Sequence, residues 1–308
     1  MYIAIDGGGT KTEYLLLNSA FEAVARRMGG PTNHERLSNG FEGVRAELEQ
    51  SMDALLATAG STRAQVDDIV AGMSGADDAR QVAQLEGIFA DMGFRRAMVC
   101  NDGYLPIKGA CRGGVGIAYN CGTGVCCAAV GEHGERIQIG GRDEWTDDAG
   151  GGVWIVQRVF AAVYDEMVLQ TRRTDLTRRC APLFAQAPAD PAQMLGELQR
   201  SAAAQRGLIE AFFGAWESGD EVAAAIGERM IERGVAYIRA ACKREWFPSS
   251  PVQIVLTGSV LLRAASPKYL CAFCSRVEDA LSRRVCWKKA AREPVWGAAG
   301  WLKERNGP

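Results

Sequence analysis

The stretch Asp6-Gly7-Gly8-Gly9-Thr10-Lys11-Thr12 lies between two short apolar runs, residues 2–5 and 14–17. Three successive glycines permit a tight strand–turn–strand connection whose N–H groups converge on an anion. Thr10 and Thr12 add hydroxyl donors. Asp6, at a strand end, is placed to hold Mg²⁺, through water as that ion prefers. The stretch is not a Walker loop, because the G-x-x-x-x-G-K-[ST] spacing is missing and a strand follows the turn instead of a helix. Read alone, it fits a glycine hairpin turn with an incidental aspartate equally well.

Outward from this turn, residues 23–28 complete an antiparallel meander. Apolar residues at helical spacing, Val44, Leu48, Met52, Leu55 and Leu56, predict a helix over 43–57. A strand over 69–73, a helix over 82–92 and a strand over 97–100 follow, the last running into Asn101-Asp102-Gly103. A second set then repeats the opening order. A strand over 116–120 reaches Cys121-Gly122-Thr123-Gly124, and strands over 125–130 and 136–139 flank the hairpin turn 131–135. Helices are predicted over 153–169, throughout 190–243, and over 268–281 and 295–303. Strands are predicted over 252–256, ending at Thr257-Gly258-Ser259, and over 284–287. The chain reads as an α/β protein of two duplicated halves, residues 1–112 and 113–308, the second with a helical insertion and a closing helix.

Composition narrows the function. The chain has 308 residues, 47% hydrophobic and 23% charged, with a net charge of −2. No chain-wide basic field marks a nucleic-acid binder. No apolar run approaches the roughly 18–20 residues of a membrane helix. The N-terminus lacks a basic segment followed by a long apolar one, so a cytoplasmic protein is expected. The 36 glycines gather in tight groups, as in a site built from loops. The ten cysteines read as free thiols. Cys271 and Cys274 form a C-x-x-C, but the chain's two histidines, His34 and His133, are too far off in sequence to complete a zinc set.

The turns at Asp6–Thr12, at Asn120–Gly124 and at Thr257–Ser259 resemble, in order and spacing, the two phosphate motifs and the adenosine motif of the sugar kinase/Hsp70/actin superfamily. The resemblance is strongest to the N-acetylglucosamine kinase branch of the BadF/BadG/BcrA/BcrD-type ATPases. Residues 140–155, Gly140-Gly141-Arg142-Asp143-Glu144-Trp145-Thr146-Asp147-Asp148-Ala149-Gly150-Gly151-Gly152-Val153-Trp154-Ile155, resemble the segment that borders the amino-sugar pocket there. The resemblance implies two ribonuclease H-like (actin-like ATPase) domains with an interdomain cleft. It implies ATP and Mg²⁺, with Asp6 linked to the metal. Gly8, Gly9, Thr10, Lys11, Gly122, Thr123, Gly124 and Gly258 would hold the nucleotide. Asp102 would be the general base, and Asn33, Asp102, Gly141 and Asp148 would contact the sugar.

Read from the residues alone, Asp102 also fits a helix cap, Asn33 a turn residue, and Thr257-Gly258-Ser259 a capped helix start. Asp147 competes with its neighbour Asp148. Arg142 and Ala149 replace family residues, and Trp145 stands three positions from a lost aromatic wall. The expected activity is ATP-dependent phosphorylation of N-acetylglucosamine or a related hexosamine at its 6-hydroxyl. The expected partner is the sugar alone, with no nucleic acid and no membrane, in a homodimer. Two other readings stay open: an ATPase activator holding an iron–sulfur cluster between subunits, and a non-catalytic sugar or nucleotide sensor. No DNA-reading segment precedes Met1, which argues against a repressor.

Overall fold

The structure, a computed structural model, describes residues 1–184, 191–243, 245–248, 251–290 and 292–307. In chain order the strands are β1 (Tyr2–Gly7), β2 (Thr12–Leu17), β3 (Ala23–Gly29), β4 (Asp68–Met73), β5 (Ala97–Cys100), β6 (Gly116–Cys121), β7 (Val125–Val130), β8 (Arg136–Gly140), β9 (Val252–Thr257) and β10 (Val285–Lys289). The helices are α1 (Gly40–Thr58), α2 (Ala79–Asp91), α3 (Leu105–Ala110), α4 (Gly152–Tyr164), α5 (Asp175–Cys180), α6 (Pro191–Arg200), α7 (Ala202–Glu217), α8 (Glu221–Ala241), α9 (Pro267–Leu281) and α10 (Val295–Asn306). Among the described residues, no helix is long and apolar enough to cross a membrane.

The first sheet has the order β3-β2-β1-β4-β5. β1 pairs antiparallel with β2 and parallel with β4, so Asp6 stands between Glu13 and Gly72. Helices cover both faces, which is why β2 and β4 are buried along their whole length instead of alternating. On one face Ile3, Ile5, Tyr14, Leu16 and Ile69 pack with residues of α1 and α2. On the other, Ala4, Leu15, Leu17 and Val70 meet Leu105 of α3 and Val295, Ala298 and Leu302 of α10. Asp68, fully buried at the start of β4, fastens α10 there, accepting from Arg305 Nε at 3.0 Å and Asn306 Nδ2 at 2.9 Å.

The second sheet, β10-β9-β6-β7-β8, repeats the same order with β6 in the place of β1. Its expected duplication therefore exists at the level of topology. Tyr119 of β6 stacks on Phe273 of α9 with ring centroids 5.1 Å apart. Gly234 of α8 permits that packing, because a Cβ there would lie 2.5 Å from the Tyr119 hydroxyl oxygen.

The chain divides into two compact units that do not follow chain order. One contains Met1–Ala118, Ala129–Arg136 and the segment from Ala290 onward; the other contains Tyr119–Ala128 and Ile137–Lys289. The closing helix, expected with residues 113–308, belongs to the first unit, since its apolar stripe completes the second face of the first sheet. The helical stretch expected over 190–243 is three helices, with Asp190 itself outside the described residues. Ser201 and Asp220 break it by capping α7 and α8, accepting the N–H groups of Ala204 and Ala223 at 3.1 and 2.8 Å. The helix expected over 153–169 is regular only to Tyr164, and a π turn continues it to Leu169.

Candidate active site

The first unit gathers its polar groups where β1, β4 and β5 end. The Asp6–Thr12 turn is closed by the Gly8 N–H donating to the Lys11 carbonyl at 3.0 Å. It is anchored from two sides: Ser74 N–H donates to the Gly7 carbonyl at 2.7 Å, and Thr32 N–H to the Gly8 carbonyl at 3.0 Å. A Thr12–Thr32 hydroxyl contact of 2.8 Å completes the anchor. Gly7 has no room for a side chain, since a Cβ would fall 2.5 Å from Thr32 Oγ1. Thr10 and Lys11 remain exposed at the tip.

Asp6 is partly exposed, and its carboxyl is pushed up to about 8 by burial first, then by the charges of Asp102 and Glu13. Asp102, two residues past β5, is raised to about 6 by burial and by Asp77. The residue that caps the following turn is Asn101, whose Oδ1 accepts the Gly103 N–H at 2.8 Å, while the same N–H and that of Asp102 itself also lower the Asp102 carboxyl. Asn101 Nδ2 also donates to Asp77 at 2.8 Å. Asn33, only 6% exposed, is a turn residue as well as a site candidate. Its Oδ1 accepts the Glu35 N–H at 2.9 Å and its Nδ2 donates to Ser74 Oγ at 3.0 Å. The structure thus brings Asp6, Asn33 and Asp102 to one end of the first sheet. It adds Ser74 and Asp77, which sequence reasoning passed over because neither stands in a recognisable pattern. Glu13 was missed too: it is buried across from Asp6 and pairs with Arg26 at 2.6 Å.

In the second unit, the Gly122–Gly124 turn is closed by the Gly122 N–H donating to the Gly124 carbonyl at 3.0 Å. The first turn of α4 fastens it, with Gly152 N–H on the Gly122 carbonyl at 2.8 Å and Val153 N–H on the Thr123 carbonyl at 3.1 Å. Gly151 must lack a side chain, as a Cβ would lie 2.7 Å from the Gly124 Cα. Gly151 and Gly152, which the resemblance grouped with the sugar pocket, therefore support the Gly122–Gly124 turn. Gly258 belongs to the same cluster, its φ of +91° and its closeness to Cys121 leaving no space for Cβ.

Asp147 and Asp148 differ in what surrounds them. Asp147 points to Arg229 of α8 in a half-exposed ion pair. Asp148 is 3% exposed, and three donors converge on it: Gly141 N–H at 2.9 Å, Thr146 Oγ1 at 2.8 Å and Tyr237 Oη at 2.7 Å. Arg233 of α8 holds the same segment by donating to the carbonyls of Thr146 and Asp147. The Tyr237 phenol is pushed up to about 12, by burial first and then by Asp148, so it stays a donor. Two donors on Oδ1 and one on Oδ2 leave Oδ2 one further acceptor position. Trp145 is 94% exposed. The Arg229, Arg233, Tyr237 spacing marks one face of a helix, but the sequence gives no hint of what that face meets.

Asp148→Ala would strand three donors and is expected to cost about 2–4 kcal/mol of stability. Asp147→Ala is expected to cost about 0–1 kcal/mol, as for an exposed pair. Urea unfolding of both variants checks that order.

Two sheets of one strand order, each with a glycine turn after its central strand, define the duplicated actin-like ATPase class. Within that class the sequence profile of the BadF/BadG/BcrA/BcrD ATPase family matches residues 3–299, and the chain belongs to this family. It is 26% identical over 151 residues to the N-acetylmuramic acid/N-acetylglucosamine kinase of Clostridium acetobutylicum. That match spans 49% of this chain and 49% of the relative, so the chain aligns with about half the length of the curated relative. The fold is shared with a structure from Chromobacterium violaceum assigned as an N-acetylglucosamine kinase, at 22% identity and a TM-score of 0.67, over 97% of both chains. It is also shared with the ROK hexokinase of Thermus thermophilus, at 15% identity and a TM-score of 0.60, over 99% of both chains.

Proposed function

We propose that the protein is an ATP-dependent amino-sugar kinase that transfers the γ-phosphoryl group to the 6-hydroxyl of N-acetylglucosamine or a related hexosamine. The observation that carries this reading is Asp102, a partly exposed carboxyl at a strand end, raised to about 6 by burial and by Asp77 despite backbone N–H groups that lower it. Phosphoryl transfer asks the protein for positioning, charge stabilisation and one acceptor for the hydroxyl proton. Asp102 takes that proton as the hydroxyl oxygen bonds to the γ-phosphorus and the bond to the ADP oxygen breaks. The names of the curated relative and of the Chromobacterium structure agree with an amino sugar as acceptor.

The other residues divide the work. In the first unit, the Gly8 N–H holds the turn closed, so that Gly9, Thr10 and Lys11 present N–H groups, a hydroxyl and a cation to phosphate oxygens, and Asn33 contacts the sugar. In the second, Gly122, Thr123, Gly124 and Gly258 hold the nucleotide, while Gly141 and the open position on Asp148 Oδ2 receive sugar hydroxyls. Asp6 suits Mg²⁺, because a cation offsets the burial that chiefly raises its carboxyl and the repulsion from Asp102 and Glu13 that adds to it. When bound, the ion neutralises charge on the β- and γ-phosphates. The protein acts in the cytoplasm as a homodimer, without nucleic acid or membrane.

The test is to incubate the protein with Mg·ATP and a panel of hexoses and hexosamines and to follow ADP. Release that depends on an amino sugar supports the reading. Release indifferent to every sugar overturns it.

A further inference from the structure

The segment after Pro31 is fastened at three places: Thr32 to the Gly8 carbonyl and the Thr12 hydroxyl, and Asn33 to Ser74. Its next turn closes with the Arg36 N–H on the Asn33 carbonyl at 3.1 Å. From there the Arg36 side chain lies against Gly9. A Cβ on Gly9 would sit 3.1 Å from Arg36 Cδ, 3.4 Å from Nη1 and 3.6 Å from Nε. The absent side chain at Gly9 thus lets a guanidinium approach the tip of the Asp6–Thr12 turn. Arg36 is exposed, as is Lys11 on the same turn. The first unit therefore sets two cations beside a turn of backbone N–H groups.

We propose that Arg36 clamps the terminal phosphate of the bound nucleoside triphosphate; this rests on the reading of the turn as a phosphate site. A guanidinium presents a planar fork of donors that matches phosphate oxygens two at a time, which the point charge of Lys11 does not. During transfer, negative charge is spread over the phosphoryl oxygens, and a positioned arginine stabilises it. Arg36 shares its turn with Asn33, the proposed sugar contact. An acceptor that orders Asn33 also orders the cation that faces the phosphate, coupling sugar binding to transfer.

The test uses Arg36→Ala and Arg36→Lys. Calorimetry measures the affinities of Mg·ADP and of the Mg complex of the non-hydrolysable imido analogue of ATP. The clamp predicts that Arg36→Ala weakens the triphosphate analogue about tenfold or more and leaves ADP within about twofold, with Arg36→Lys in between. It predicts a kcat about 100-fold lower with the acceptor KM within about threefold. Equal weakening of ADP and the analogue, or an unchanged affinity for both, overturns the clamp. A wild-type protein that binds nucleotide but phosphorylates no sugar overturns the amino-sugar reading, and the calorimetry still decides the clamp. A wild-type protein that binds neither nucleotide overturns both.

Discussion

Asp102→Asn is expected to lower kcat by about three orders of magnitude, within the range that general bases contribute. Asparagine keeps the size and most of the polarity of the side chain but has no basic oxygen. The KM values for ATP and sugar should move by less than about threefold, because the proton acceptor acts mainly in the transition state. The pH profile gives a second readout. Burial and the neighbouring Asp77 raise the Asp102 carboxyl to about 6. Only the ionised form accepts a proton, so activity falls as the pH drops through about 6, and below that by about tenfold per pH unit. The residual activity of Asp102→Asn should lack this acid limb. Asp77→Asn removes one of the charges that raise Asp102, so the limb should shift to lower pH. Steady-state rates from pH 4.5 to 8 test all three statements. Activity of Asp102→Asn at the wild-type level removes the base assignment.

Gly258→Ala should be among the most damaging single methyl groups in the nucleotide cluster proposed for the second unit. Gly258 has a φ of +91°, and a Cβ there would fall 2.2 Å from the Cys121 carbonyl oxygen and 2.6 Å from Asn120 Oδ1. The carbonyl is backbone and cannot swing aside as a side chain would. Either β9 shifts or the Asn120–Gly124 turn does, at an expected cost of about 3 kcal/mol or more from overpacking and strain. Nucleotide affinity should fall at least about tenfold, since the displaced turn is the one proposed to carry the phosphate donors. Gly219→Ala is the matched control. Gly219 also has a positive φ, +81°, but nothing lies within 4 Å of its added Cβ. It should cost only the left-handed backbone term of about 1 kcal/mol and leave binding untouched. Thermal unfolding and nucleotide titration of the two variants separate steric from conformational effects. Equal behaviour would show that the close approach at Gly258 does not matter.

Much of the first sheet was readable because its signals are local. Two runs joined by Gly7–Gly9 leave few alternatives to a hairpin, and the period of Val44, Leu48 and Met52 fits only one buried helix face. The missed elements are those whose stability comes from partners distant in sequence. α3 is six residues long and rests against α10, nearly two hundred positions away, where a Cβ on Gly297 would overlap the Leu105 carbonyl. Its own residues carry too little periodicity to announce a helix. The break at residues 218–220 is different, since Asp220 is a strong N-cap by type and its signal was masked by the alanine-rich composition on either side.

The candidate site divides in the same way. The sequence by itself determined the kind of groups available: glycine turns that bring N–H groups together, a carboxylate at a strand end, a duplicated order of strands. Those follow from chain stereochemistry over a few residues. Only the tertiary structure decided which groups are committed elsewhere. It assigned the capping role to Asn101, buried Asp102 beside Asp77, turned Asp147 toward Arg229 and buried Asp148 under Tyr237, and set Arg36 against Gly9. A carboxylate or guanidinium has the same intrinsic chemistry wherever it stands in a sequence. Its charge, its remaining hydrogen-bonding capacity and its reach are set by burial and by neighbours that the fold supplies.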